Sequence, residues 1–121
     1  MRRLLFLTGL LLSGLLIESK AEQRPPALQQ GQSILVVDQT LISTGWNPAP
    51  AVSVQTFEKK LAGNQLASLA SCSGTGAGYC RYDYQRSDKR LVVVTVPGSQ
   101  PNQAGRVSSW WLEPVDINPE R

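Results

Sequence analysis

The most reactive side chains of this sequence lie in one short stretch, SCSGTGAGYCRYDY, at residues 71–84. It holds both cysteines of the chain, three of its ten glycines and all three tyrosines. Residues of these types can support thiol exchange, metal binding through thiolates, or phosphate binding in a glycine-rich loop. Their spacing distinguishes these kinds of chemistry.

Seven residues separate Cys72 from Cys80, and this spacing favours a structural disulfide. Redox exchangers use Cys-x-x-Cys, and two thiolates in a sequence without histidine provide too few ligands for a usual zinc site. One intramolecular pairing is available, and closing so short a ring stabilises a fold by about 2.5 kcal/mol in the chain-entropy model. We predict a disulfide that links the end of a helical region to the first strand, and no metal or cofactor.

The glycines between the cysteines, Gly74, Gly76 and Gly78, also favour a structural role. A phosphate-binding loop leads into a helix and often carries a following lysine, whereas Gly78 is followed by Tyr79 and a predicted strand. A short loop between bonded cysteines needs the backbone freedom of glycine. An anion site made of backbone amides is the alternative.

The absence of histidine excludes Ser-His and Cys-His activation of a nucleophile. Between residues 33 and 113 the carboxylates left for acid–base chemistry are Asp38, Glu58, Asp83, Asp88 and Glu113. Asp83 is the one on a predicted strand beside tyrosines, and we expect it to face solvent, paired with Arg81 or Lys89. In the alternative, a small hydrolase or lyase, an acid such as Asp83 shares a pocket with a tyrosine. The candidate tyrosines are Tyr79, Tyr82 and Tyr84.

Two adjacent tryptophans, Trp110 and Trp111, are the best indication of a binding surface. Neighbouring residues of a strand point to opposite faces, so one ring can fill the core while the other stays at the surface. An exposed tryptophan is an efficient anchor of an interface. We therefore predict Trp110, Trp111 and Tyr79 as candidate interface residues, and the sequence leaves open which tryptophan is exposed.

Two segments before the cysteines have helical character. In residues 33–46 apolar residues recur at helical spacing, Ser33 suits an N-cap, and Gly45 suits a left-handed C-terminal position. We expect Trp46 to fold back into the core. Residues 56–70 are predicted to form two short helical pieces, because a Gly-Asn pair interrupts the pattern.

After Cys80 the period of the apolar residues becomes two, which indicates strands. The predicted strands cover residues 80–85, 91–96 and 107–112. Short loops make them an antiparallel meander. The pairs predicted across the first turn are Gln85 with Arg90, Tyr84 with Leu91, and Tyr82 with Val93. The predicted class is α+β: one or two helical segments packed on a three-stranded antiparallel meander, with one disulfide.

Residues 1–21 have the pattern of a secretory signal peptide, with two arginines, an apolar run at residues 4–17, and small side chains at Ser19 and Ala21. We expect cleavage after Ala21. The apolar run is shorter than the roughly 20 residues that a membrane-spanning helix needs. We therefore expect no stable membrane span after cleavage.

The remaining chain is predicted to contain a disordered lead-in at residues 22–32, one domain at 33–112 and an extended tail at 113–121. The signal would take three of the 12 basic and one of the 9 acidic residues, which leaves nine against eight and a net charge of +1. So small a charge argues against a nucleic-acid partner. The signal peptide and the cysteine pair both indicate export, to the periplasm or the extracellular medium.

The motif Gly45-Trp46-x-Pro48, the motif CSGTGAGYCR and the strand LVVVTV resemble a group of small exported bacterial proteins of cyanobacterial type. These uncharacterised proteins carry GWxP and CSGTGxGYCR motifs. The resemblance covers about residues 36–111 of this chain. It implies an exported single-domain protein, and it implies no activity, ligand or catalytic residue.

We therefore predict an exported, non-catalytic module that binds a protein or an envelope component. One alternative is the histidine-free hydrolase or lyase that uses carboxylates and tyrosines. The other is a purely structural protein of the envelope.

Overall fold

The computed structural model describes residues 26–73, 78–100 and 103–115. They form two helices and one antiparallel sheet of five strands, which confirms the predicted α+β class. In chain order the elements are α1 (Ile34–Ser43), β1 (Asn47–Pro48), α2 (Thr56–Ala62), β2 (Leu69–Cys72), β3 (Cys80–Arg86), β4 (Lys89–Val96) and β5 (Arg106–Pro114). The predicted meander corresponds to β3, β4 and β5, and β1 and β2 are short additional strands. The predicted signal peptide lies outside the described residues.

Helix α1 begins and ends as its sequence predicts. The Ser33 hydroxyl accepts a hydrogen bond from the Leu35 amide at 3.2 Å and caps the N-terminus. At the other end Gly45 has a φ of 100°, and the Trp46 amide donates to the Leu41 carbonyl at 3.0 Å. This pattern is a Schellman motif, and it brings Trp46 into the core as predicted.

Replacing Gly45 by alanine is expected to lower the free energy of unfolding by about 1 kcal/mol. An added Cβ would meet nothing closer than Arg86 Nε at 3.7 Å, so the cost comes from the left-handed backbone and not from a clash. Gly45→Asn is the matched control and should lose less, because asparagine tolerates this conformation better. Urea denaturation followed by tryptophan fluorescence measures the stability of both variants. Equal stability of the two variants and the wild type would contradict a left-handed backbone at Gly45.

Residues 56–70 contain a single helix, α2, and the prediction of two helical pieces in this segment was wrong. Helix α2 ends before Gly63, which has a φ of 73°. The Asn64 side chain then accepts from the Leu66 amide at 2.9 Å and turns the chain. The rest of the segment leads into β2, which pairs with β3. The apolar spacing of residues 66–70 fits a short strand as well as a helix. The strand forms because its backbone can pair with the edge of β3.

The sheet has the order β1-β3-β4-β5, and β2 pairs with β3 on the same edge as β1. The predicted register is confirmed, because Tyr84 pairs with Leu91 and Tyr82 pairs with Val93. The turn between β3 and β4 contains Ser87 at a φ of 54°. Register and alternation together place both tyrosines on the face of the sheet that meets the helices.

The core lies between the helices and this face of the sheet. From the sheet it contains Tyr82, Tyr84, Leu91 and Val93, and from α1 it contains Ile34, Val37 and Leu41. The buried residue of α2, Ala62, joins the same cluster. Every buried helical residue among the described elements therefore packs on one side of the sheet.

The predicted disulfide between Cys72 and Cys80 is confirmed, but it connects different elements from those expected. The two cysteines lie directly opposite each other on β2 and β3, with Cα atoms 4.0 Å apart. The bond thus joins neighbouring strands of one sheet and does not join a helical segment to a strand. This difference follows from the formation of β2 in place of the second helical piece.

Helix α2 is attached to this disulfide through Glu58. Its carboxylate accepts hydrogen bonds from the amides of Gln55 and Cys72, each at 3.0 Å. These two bonds, that of Gln55 first, hold the pKa of the Glu58 carboxyl below its ordinary value. The helix end and the disulfide therefore share one hydrogen-bonded group.

The chain before α1 runs along the beginning of β5. The Gly31 amide donates to the Val107 carbonyl, and the Val107 amide donates to the Gln32 carbonyl, both at 2.8 Å. The Gln30 side chain donates to the Ser108 carbonyl at 3.0 Å. The described part of the predicted lead-in is therefore hydrogen-bonded to the domain.

Candidate functional site

The candidate site is the face of the sheet opposite the helices. We call it the tryptophan face and define it by Arg81, Asp83, Arg90, Trp111 and Glu113. Strand alternation puts these side chains on one side. The register then places Asp83, Val92 and Trp111 in one row across three strands, and Arg90 beside Glu113 in the next.

Trp111 is the exposed member of the tryptophan pair. It is 43% exposed, whereas Trp110 is half-buried and packs against the core. The register decides this division, because Trp110 pairs with the core residue Val93 and Trp111 pairs with Val92. Trp111 Nε1 donates a hydrogen bond to Glu113 Oε2 at 3.1 Å, which orients the ring on the strand.

Glu113 also connects the basic side chains of the face. Its Oε1 lies 3.9 Å from Arg81 Nη2 and 3.8 Å from Arg90 Nη1. Long, partly exposed ion pairs of this kind add little stability, but they hold two positive groups close to the indole. Arg90 Nε is buried and has no hydrogen-bond partner among the described residues, so Glu113 satisfies only part of this guanidinium.

Asp83 is paired with Arg81, as one of the predicted alternatives had it, but it does not face solvent. Arg81 Nε lies 2.8 Å from Asp83 Oδ1, and the carboxylate side chain is only 4% exposed. Its cross-strand neighbour Val92 is fully buried too. The hydrogen bond to Asp83 raises the pKa of the Arg81 guanidinium. The prediction that Asp83 faces solvent was wrong, because strand alternation shows on which face of the sheet a side chain lies but not whether neighbouring side chains cover it.

Tyr79 is exposed, as an interface residue should be, but it lies far from Trp111. It precedes β3, whereas Trp111 is level with Asp83. Four residues of a strand span about 13 Å. The structure therefore separates Tyr79 from the tryptophan face, and the three candidate interface residues do not form one surface.

A second polar cluster lies on the helix side of the sheet. The Tyr84 hydroxyl donates to Asp38 Oδ1 at 2.6 Å, and the Ser68 hydroxyl donates to the Tyr84 hydroxyl at 2.9 Å. Burial first, and then the hydrogen bond to Asp38, raise the pKa of the Tyr84 hydroxyl. The sequence carries a weak signal for this contact, because Asp38 follows the buried Val37 at the rim of the buried face of α1.

This cluster does not form the pocket that the hydrolase alternative requires. Tyr84 and Ser68 are fully buried, and the acid that meets them is Asp38. Asp83 points to the opposite face of the sheet, away from Tyr82 and Tyr84. The contacts of the cluster are those of buried hydroxyl groups that satisfy one another inside a core.

Three clefts on the surface of the described residues have volumes of about 230, 250 and 380 Å³. None of the three is lined by an Asp, Glu or Tyr side chain. The cleft of about 250 Å³ lies beside the disulfide and is walled by glycines of the loop after β4. Within residues 26–73, 78–100 and 103–115 no three His, Cys, Asp or Glu side chains are grouped to hold a metal ion.

Comparisons with protein-family models, with curated proteins and with solved structures found no significant match for this chain. The site must therefore be interpreted from its own geometry.

Proposed function

We propose that this protein is an exported, non-catalytic binding module that recognises a protein or another envelope component through the tryptophan face. The exposed ring of Trp111, oriented by Glu113, is the observation that carries the proposal. Tryptophan and arginine are the residues that most often dominate the energy of an interface. A ring that is ordered before binding loses little further conformational entropy when a partner covers it.

The charges of the face indicate the chemistry of the partner. Arg81 and Arg90 both lie within 3.9 Å of one partly exposed carboxylate, Glu113, and Arg81 also pairs with the buried Asp83. A partner that places an apolar or aromatic group on Trp111 and an acidic group near the arginines would match this arrangement. We expect its affinity to fall with rising salt.

Export is part of the proposal and is supported by two features. The disulfide between Cys72 and Cys80 suits an oxidising compartment. Residues 1–21 have the composition of a signal peptide. Neither of the two helices that the structure describes is long and apolar enough to cross a membrane.

Trp111→Ala is expected to weaken binding of the partner about 30-fold, as removal of an interface anchor does. The partner is first captured by crosslinking in the native envelope, identified by mass spectrometry and purified. Its dissociation constant for each variant is then measured by calorimetry. Because Trp111 is partly exposed, the same change should lower stability by about 1 kcal/mol or less.

Phe57→Ala is the matched control, because Phe57 is an exposed aromatic residue on α2, at 51% exposure. It should leave the affinity unchanged. Equal affinities of the two variants would reject the tryptophan face as the binding surface. Global unfolding of Trp111→Ala would instead assign the ring a structural role.

A further inference from the structure

The free edge of β5 supports an inference that does not require the proposed partner, although both involve Trp111. In antiparallel strands the residues that bond to one neighbour alternate with residues whose backbone groups point the other way. On β3, the Asp83 amide donates to Ser68 and the Asp83 carbonyl accepts from Ala49. The backbone groups of Asp83 therefore point away from β4.

This direction carries across the sheet to β5. Asp83 pairs with Val92 of β4 without bonding to it, so the backbone groups of Val92 point towards its β5 partner, Trp111. The residues on either side, Trp110 and Leu112, consequently direct their N–H and C=O groups away from the sheet. Among the described residues no backbone group is bonded to this edge at either position.

The open part of the edge has defined ends. On one side the Ser108 carbonyl already accepts a hydrogen bond from the Gln30 side chain. On the other side β5 ends at Pro114, which has no N–H group. The window between these ends is residues 109–113, and its central residue is Trp111.

We propose that this window pairs with the same window of a second copy of the chain, antiparallel and about a two-fold axis at Trp111. Trp110 and Leu112 of one copy would then exchange backbone hydrogen bonds with Leu112 and Trp110 of the other, four bonds in all. The dimer is isologous and joins the two sheets into one. The pairing uses the strand edge, so the tryptophan faces remain on one side of the joined sheet.

The side chains of the window favour a second copy as the occupant. Around an axis at Trp111 the two indoles lie directly opposite each other, and aromatic pairs across strands are stabilising. Glu113 lies opposite Ser109 of the second copy, so no like charges face each other. The two ends of the window, Ser108 and Pro114, are each three residues from Trp111. The windows of two copies can therefore pair along their whole length.

Sedimentation equilibrium on the disulfide-bonded protein tests the dimer directly. We expect a mass that rises with concentration to twice that of one chain. Ser109 is exposed, so both charges can be placed there without disturbing the core. Ser109→Glu faces Glu113 twice in the dimer and should raise the dissociation constant about tenfold, whereas Ser109→Lys should lower it about tenfold.

Val36→Glu and Val36→Lys are the matched controls, because Val36 is 53% exposed on the outer side of α1. They should leave the dissociation constant unchanged. Amide hydrogen exchange should show protection of Trp110 and Leu112 that increases with protein concentration. A protein that stays monomeric to about 1 mM, or equal effects at positions 36 and 109, would overturn the proposal. Protection independent of concentration would also do so, and would assign the edge to residues of the same chain.

Discussion

Loss of the disulfide between Cys72 and Cys80 is expected to lower the free energy of unfolding by about 2.5 kcal/mol. The bond restrains the unfolded chain. In the folded protein it fastens the end of β2, a strand of only four residues, to β3. A domain of this size has a total stability of roughly 5–10 kcal/mol, so the loss should be easy to measure. The measurement is urea denaturation of the same protein with and without a thiol reductant.

A double variant, Cys72→Ala with Cys80→Ala, provides the control. Reductant should move the midpoint of the wild type towards that of the double variant and leave the double variant unchanged. Cys80 is buried, so the variant also loses some packing, and the reduced wild type gives the cleaner value. An unchanged midpoint in a sample with two titrated free thiols would show that the bond does not stabilise the fold.

Tyr84→Phe is expected to lower the free energy of unfolding by about 2 kcal/mol, a value within the usual range for a hydrogen bond to a charged group. The change removes the 2.6 Å hydrogen bond to Asp38 and also the 2.9 Å hydrogen bond that the Ser68 hydroxyl donates to Tyr84. The ring stays in the core. Ser68 keeps a weaker contact to Asp38 at 3.3 Å, which limits the loss. Urea denaturation at pH 7 measures the effect.

The same variant should change how stability depends on alkaline pH. Burial is the main cause that raises the pKa of both Tyr82 and Tyr84 above the ordinary value of 10.0. Below pH 10 the folded and unfolded chains both keep these protons, so the two buried tyrosines contribute their full share to the free energy of unfolding. Above pH 10 only the unfolded chain releases them, and stability falls by up to about 1.4 kcal/mol per pH unit for each buried tyrosine.

Denaturation series between pH 9 and pH 12, values chosen to bracket the tyrosine range, should therefore slope less steeply for Tyr84→Phe than for the wild type. Tyr82→Phe is the matched control at neutral pH. It removes hydrogen bonds to neutral groups only, from the Asn64 side chain at 3.0 Å and with Thr95, so it should cost about 1.5 kcal/mol. Identical losses for the two variants would argue against a special contribution from Asp38.

The cysteine pair shows how far a prediction from sequence extends. The pairing followed from there being two cysteines, and the structure confirms it. What the bond connects depended on whether the residues before Cys72 form a helix or a strand. Local spacing could not decide this, because a short apolar run fits both. Pairing with β3 decided it.

The candidate site divides in a similar way. Alternation along β5 predicts that one of Trp110 and Trp111 leaves the core, and alternation along β3 puts Arg81 and Asp83 on one face. The burial of Asp83 and the contacts of Glu113 with Arg81 and Trp111 could not be predicted. They depend on three strands that meet in one register.

The sequence by itself determined the features that arise between near neighbours in the chain. These are the capped ends of α1, the strand periodicity, the turn that sets the register of β3 and β4, and the cysteine pairing. Only the tertiary structure decided which tryptophan is exposed and that Asp38 meets Tyr84, 46 positions further along the chain. Caps, turns and periods depend on local backbone geometry, whereas burial and distant hydrogen bonds depend on which faces of separate elements pack together.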